Sequence, residues 1–249
     1  MTFHASAWQI ALAALLPIFF CLLLFLAEAK GPLSKTIRES TGLVAPYFTV
    51  ISILFGLFAA LLASDVWLKT NEAKRAVQAE SHAVHALAHL ARAHGVAEVV
   101  LPKLRAYAEA AGVEQPHSAF FEQQHAATEK SYLDLLTTLS RLPPTDELVR
   151  SSLLTAGGDL LRAHDSRIYF ASDMTAPVKW LSIVIFGVLT QIALLLVHVS
   201  NRRASRIAVV LFTVAFTFCL LVMAVFDAPF EVVLKDEPGK SMRAALTKL

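Results

Sequence analysis

His82, His85 and His89 recur at i, i+3 and i+7, a spacing that gathers three imidazoles into one sector of a helix. Such a set can converge on a divalent metal when a further group completes the shell. It can also take up protons near neutral pH, or form no more than a solvated polar face. Glu122 and His125 make a Glu-x-x-His pair, the local unit of di-iron carboxylate bundles. Those bundles require a second such pair, and Asp159 and His164 have the wrong spacing to supply it. Glu80 falls near an apolar stripe and requires a partner such as an Arg. Other ionisable groups border apolar runs: Asp65 with Lys69 at i, i+4, Glu28 beside Lys30, and Asp227 ahead of Ala228-Pro229-Phe230. Each has a structural role open to it, an i, i+4 pair for Asp65 and backbone N–H bonds in a turn for Asp227, and each can equally mark an ion path. No Gly-rich phosphate loop, nucleophile elbow or paired catalytic carboxylate occurs. The sequence therefore predicts neither an enzyme nor a bound cofactor.

The elements that carry these residues are set by hydropathy. Of 249 residues, 56% are hydrophobic and 17% charged, with a mean hydropathy of +0.57. A soluble domain of this size has no need of so much apolar surface, so a multispan membrane protein is expected. A net charge of +2 argues against nucleic acid as a partner. Cys21 and Cys219 lie inside apolar runs and are read as reduced and structural.

Four spans follow, each near the ~20 residues that cross a bilayer: Trp8 to Ala27, Val44 to Leu68, Val178 to His198, and Ile207 to Phe226. The first is read as a retained span rather than a signal peptide, since no positive charge precedes Trp8 and its apolar run is too long. Pro17 should kink it or be rescued by neighbouring helices. The chain thus divides into residues 1–68 with spans one and two, 69–175 as a helical extramembrane region, 176–230 with spans three and four, and 231–249 as a short amphipathic basic tail.

No Gly or Pro interrupts the chain from Leu57 to His94, so the second span should continue into water as one rod of roughly 55 Å at ~1.5 Å per residue. Ala73, Val77, Val84, Leu87 and Ala91 form an apolar stripe along its outer half. Inside the membrane, Ser52, Gly56, Ala60 and Ser64 make a small-xxx-small ridge suited to close helix packing. Ile51, Phe55 and Phe58 project from another sector, toward lipid, core or a hydrophobic constriction, with Asp65 the first charge beyond them. In the insertion, breaks at Gly95, at Gly112 to Ser118 with Pro116, and at Pro143-Pro144 separate three further helices. Thr145 serves as an N-cap, with Asp146 and Glu147 on the first turn of the last helix, which is expected to loosen at Gly157-Gly158.

Charge places the large insertion less simply. Lys30, Lys35 and Arg38 in one short loop, and Arg202, Arg203 and Arg206 in the other, put those loops in the cytoplasm by the positive-inside rule. Lys69, Lys74 and Arg75, and Lys235, Lys240, Arg243 and Lys248, sit on the opposite side.

Asn71-Glu72-Ala73 with Glu80 on the rod, Pro177 to Trp180 at the entry to the third span, and Asp227-Ala228-Pro229-Phe230 at the exit from the fourth resemble the bestrophin-like domain family of bacterial and plant membrane proteins. The resemblance covers nearly all the chain after the first span. It departs after Tyr107, where Ala108-Glu109-Ala110-Ala111 stands in place of an acidic-aromatic pair. The resemblance implies an all-α multi-pass protein of the inner membrane that forms a homo-oligomer, a pentamer in bestrophins proper. It also implies an ion channel whose second span lines a hydrophobic neck, with the helical region as a cytoplasmic vestibule, against the charge count. No acidic calcium clasp is present, so calcium gating does not follow. Lipid and permeant ions are then the partners. A non-conducting sensor or scaffold, whose helical region binds a partner or a divalent metal, is the alternative.

Overall fold

The computed structural model describes residues 5–30, 45–115, 118, 120–142, 147–172, 175–198 and 200–248. Their helices are α1 (Ala5–Lys30), α2 (Ala45–Ala93), α3 (Ala97–Val113), α4 (Phe121–Ser140), α5 (Glu147–Ser172), α6 (Pro177–Val197), α7 (Arg202–Asp227) and α8 (Glu237–Leu246). No strand occurs among the described residues. Lys35 and Arg38 of the first basic loop, Pro116, Pro143-Pro144, and the Thr145 cap with Asp146 lie outside them. Four helical stretches are long and apolar enough to cross a membrane, supplied by α1, α2, α6 and α7. The expectation of an all-α, four-span protein therefore holds.

The chain divides into two compact units, residues 3–68 with 174–227, and residues 69–173 with 228–249. The boundary at Leu68 and Lys69 falls inside α2, which stays helical from Ala45 to Ala93. Pro46 falls in its first turn, where the missing N–H costs no bond, and from Leu57 to Ala93 no Gly or Pro removes the i→i−4 bonds or relaxes the backbone. Gly95 ends it with φ +71°, a left-handed conformation that a Cβ would strain.

In the membrane unit, Ala13 of α1, Leu62 and Val66 of α2, Ile183 of α6, and Phe216, Leu220 and Met223 of α7 form the main buried cluster. The ring of Phe216 lies over Gly187, where a Cβ would approach its Cζ to 2.1 Å. α1 runs through Pro17 without a break. The buried Gln191 donates from Nε2 to the Pro17 carbonyl at 3.1 Å and to Thr213 Oγ1 at 2.8 Å, which ties α1 to α6 and α7 at this level, although the carbonyl that Pro17 leaves without its intrahelical partner is that of Ala13.

In the helical unit, Val84, Leu87 and Ala91 of α2 pack with Val100, Leu104 and Ala111 of α3, Leu135 and Leu139 of α4, and Leu153 and Leu160 of α5. Met242 and Ala245 of α8 belong to the same core, so the tail contributes its apolar face to packing. α5 is continuous across Gly157-Gly158 and does not loosen there. Gly157 lies close to Leu139, whose Cδ1 would stand 3.2 Å from an added Cβ.

Candidate functional site

The interior of the helical unit holds a polar cluster. The buried face of α5 reads Leu153, Ala156, Gly157, Leu160, His164, Arg167 and Ala171, so His164 and Arg167 stand at apolar positions of that helix. Arg167 is fully buried. Its Nε lies 2.6 Å from Glu80 Oε2, and one terminal nitrogen lies 2.7 Å from Glu114 Oε2. The same nitrogen donates to the Ala111 carbonyl at 3.3 Å, one of the C-terminal carbonyls of α3 that lack an intrahelical partner. Glu80 Oε1 accepts from the Tyr107 hydroxyl at 2.7 Å and meets His164 Nδ1 at 3.0 Å.

The electrostatics follow from those contacts. Burial pushes the Glu80 carboxyl up, yet the Arg167 charge and the His164 contact outweigh it and hold it below the usual carboxylate range. Tyr107 is driven well above the ordinary phenol range by burial first and the Glu80 charge second. Burial lowers Arg167, but Glu80 and Glu114 more than compensate and hold it above its usual value. A buried charge with two carboxylate partners is a costly arrangement to break from either side.

Glu114, in the turn after α3, faces two histidines. His125 Nδ1 of α4 lies 2.7 Å from its Oε1 and His164 Nε2 lies 3.7 Å from its Oε2. The two imidazoles stack, with centroids 5.8 Å apart and planes 9° from parallel. His125 is thus paired with Glu114, while Glu122, its i−3 neighbour, is exposed.

Among the described residues, Glu114, His125 and His164 are the group of ligand-type side chains whose donor atoms come within 4.8 Å of one another. His82 and His89 are exposed and His85 is half-buried, on the side of α2 away from its buried stripe. Burial, then the charges of Lys248, His89 and His82, lower the His85 pKa. The Glu80 requirement for an Arg is met by Arg167, but sequence reasoning missed both Glu114 and the role of His164. The apolar register of α5 carried a signal for His164 and Arg167; Glu114 lies in a break between helices and carried none.

The membrane half of α2 has two unlike faces. Leu62 and Val66 are buried. The Phe55 ring meets Phe212 and Phe216 at centroid distances of 5.2 and 5.3 Å, and Phe58 stacks on Phe186 at 4.8 Å. Within one chain, Phe55 and Phe58 therefore serve packing between spans, and Ile51 and Ser52 are half-buried. Ser52 donates its hydroxyl to the Phe48 carbonyl at 2.9 Å. The open face carries Gly56, Ala60 and Ser64 together with Ile53, Leu57 and Leu61, and a Cβ on Gly56 would meet nothing within 4 Å.

Charges at the span ends also find partners other than those nearest in sequence. Asp65 pairs with Lys179 of α6 at 2.8 Å. Glu28 faces Arg202 and Arg206, each at 3.5 Å. Asp227 accepts from the Thr175 backbone N–H at 3.1 Å and the Trp180 indole at 3.2 Å.

A family model described as Bestrophin-like domain matches residues 14–234. No curated protein matches the chain. Among solved structures, a bacterial bestrophin homologue from Klebsiella pneumoniae, solved by Zn-SAD phasing, is similar at a TM-score of 0.68 and 14% identity, covering 97% of this chain and 97% of that one. A mutated form of that homologue is similar at 0.66 and 14% identity, covering 97% and 98%. At such identities the likeness speaks for the fold alone.

Proposed function

The chain belongs to the bestrophin-like domain family, and from that premise we propose that it forms a homo-oligomeric ion channel of the inner membrane, with the membrane half of α2 lining the passage. Anions are the first class of permeant ion to test, and the resemblance to bestrophins implies five subunits. The observation that carries this reading is the open face of α2. A span whose own chain leaves Gly56, Ala60 and Ser64 exposed beside Ile53, Leu57 and Leu61 suits close approach of a second subunit along its small residues.

In this arrangement the apolar row toward the axis is Ile53, Leu57 and Leu61, and it gates by dewetting rather than by charge. Phe55 and Phe58, proposed from the sequence as the constriction, support that row from behind through Phe186, Phe212 and Phe216. Asp65 lies past the constriction, where a ring of such charges biases ion selection.

The test is current from purified full-length protein in planar bilayers, with the oligomer mass measured in the same detergent. Ion-selective current from a defined oligomer is expected. An intact oligomer that carries no current in any salt or voltage overturns the channel reading in favour of a membrane-anchored sensor or scaffold.

A further inference from the structure

We infer that Glu114, His125 and His164 form a binding site for one divalent transition-metal ion of the zinc class. Their donor atoms lie within 4.8 Å of one another, and they come from three separate elements, the turn after α3, α4 and α5. Two imidazoles and one carboxylate are a zinc donor set that leaves a fourth tetrahedral position for water. Bonds of 2.0–2.2 Å place tetrahedral donors about 3.3 Å apart, so side chains whose donor atoms lie within 4.8 Å of one another need move by at most about 1.5 Å. Calcium, which takes six to eight oxygens, does not suit two imidazoles.

The supporting contacts around the three are already in place. Glu80 accepts from Tyr107 and faces the Arg167 Nε, so it acts as an acceptor and His164 Nδ1 carries a proton toward it. That tautomer turns the lone pair of His164 Nε2 to Glu114 Oε2, 3.7 Å away. Glu114 Oε2 takes one hydrogen bond from Arg167, and its remaining lone pair can turn with that of His164 Nε2 toward a shared cation. A carboxylate holding the remote N–H of a metal-bound imidazole is the usual outer support of such sites. Arg167 fixes the Glu114 carboxylate at 2.7 Å, and stacking holds the His125 ring parallel to that of His164. Two carboxyl groups, Glu80 and Glu114, share the one Arg167 guanidinium in this buried region, so a cation there meets more acidic than basic side chains. The His125 side chain is 41% exposed and gives the ion a way in.

The site is distinct from the surface His82, His85 and His89 set. Detergent-solubilised full-length protein, stripped with a chelator, is titrated with ZnCl2 by calorimetry and with Co2+ by visible absorption. One ion per chain is expected, with the strong visible bands of low-coordinate Co2+. His125→Asn should weaken Zn2+ binding by at least ~10-fold, the low end of what perturbing even an outer partner of a metal site causes, with helical content unchanged. The triple variant His82→Asn/His85→Asn/His89→Asn should bind as the parent does. No binding by the parent, parent-like binding by His125→Asn, or loss confined to the triple variant would each overturn the assignment. Circular dichroism checks that His125→Asn is folded, and the triple variant separates the two candidate sets without altering the buried core.

Discussion

Arg167 on α5 reaches Glu80 on α2 with Nε 2.6 Å from Oε2, both side chains fully buried. The pair ties the C-terminal half of the long helix to α5 in the helical unit, and the same guanidinium also holds Glu114. Exposed ion pairs contribute little, but removal of one member of a buried pair leaves a charge with neither water nor partner.

Arg167→Met should therefore destabilise the helical unit by about 3–5 kcal/mol, since it strands two carboxylates. Glu80→Gln keeps the shape and a hydrogen-bond acceptor, and should cost less. Thermal unfolding of the detergent-solubilised protein ranks the two. A parent-like melting temperature for Arg167→Met would mean that water reaches this cluster and that the charges are not confined.

The two membrane glycines separate packing within one chain from packing between chains. Gly187→Ala drives a Cβ to 2.1 Å from Phe216 Cζ, and overpacking of this kind costs about 1–3 kcal/mol. Gly56→Ala meets nothing in its own chain and gains helix propensity of about 1 kcal/mol. Loss of stability in the first and none in the second is the expected pattern; no loss in the first would contradict the packing at Gly187, and an equal loss in the second the open face at Gly56.

Larger side chains on the open ridge test assembly. Gly56→Leu or Ala60→Leu should lower the oligomer mass in mild detergent while leaving helical content as in the parent, because the clash falls between subunits and forfeits their close contact. Oligomers of parental mass from both variants would remove the ridge from the interface.

Asp65 tests the mouth of the passage. Its carboxylate pairs with Lys179 at 2.8 Å, both partly exposed, so Asp65→Asn changes the local charge without disturbing a buried core. In asymmetric salt the reversal potential should move toward greater anion preference with current retained. An unmoved reversal potential would place Asp65 away from the ion path.

Much of this protein follows from its sequence alone. Length and apolar content specify four spans, because a bilayer fixes how many residues a helix needs to cross it. The run without Gly or Pro after Leu57 specifies that α2 stays one helix, and its period specifies Ala73, Val77, Val84, Leu87 and Ala91 as the buried stripe. These are local properties, set by residues within a turn or two of one another. Even the demand of Glu80 for a cation was local, an acid on an apolar face.

Which cation answered it was not. Arg167 and His164 meet Glu80, and Glu114 meets Arg167, only once α2, α3 and α5 are packed, and a charge on one helix carries no record of the face another helix will turn toward it. The same limit applies to Asp65 with Lys179, Asp227 with Trp180, and Glu28 with Arg202 and Arg206, where a partner distant in sequence is one that no local pattern names. It applies most clearly to α2 in the membrane. Periodicity separates a bulky sector from a small one, but both are apolar, and hydropathy alone does not choose between them. Only the positions of Phe186, Phe212 and Phe216 decided that Phe55 and Phe58 turn inward and that Gly56, Ala60 and Ser64 remain open.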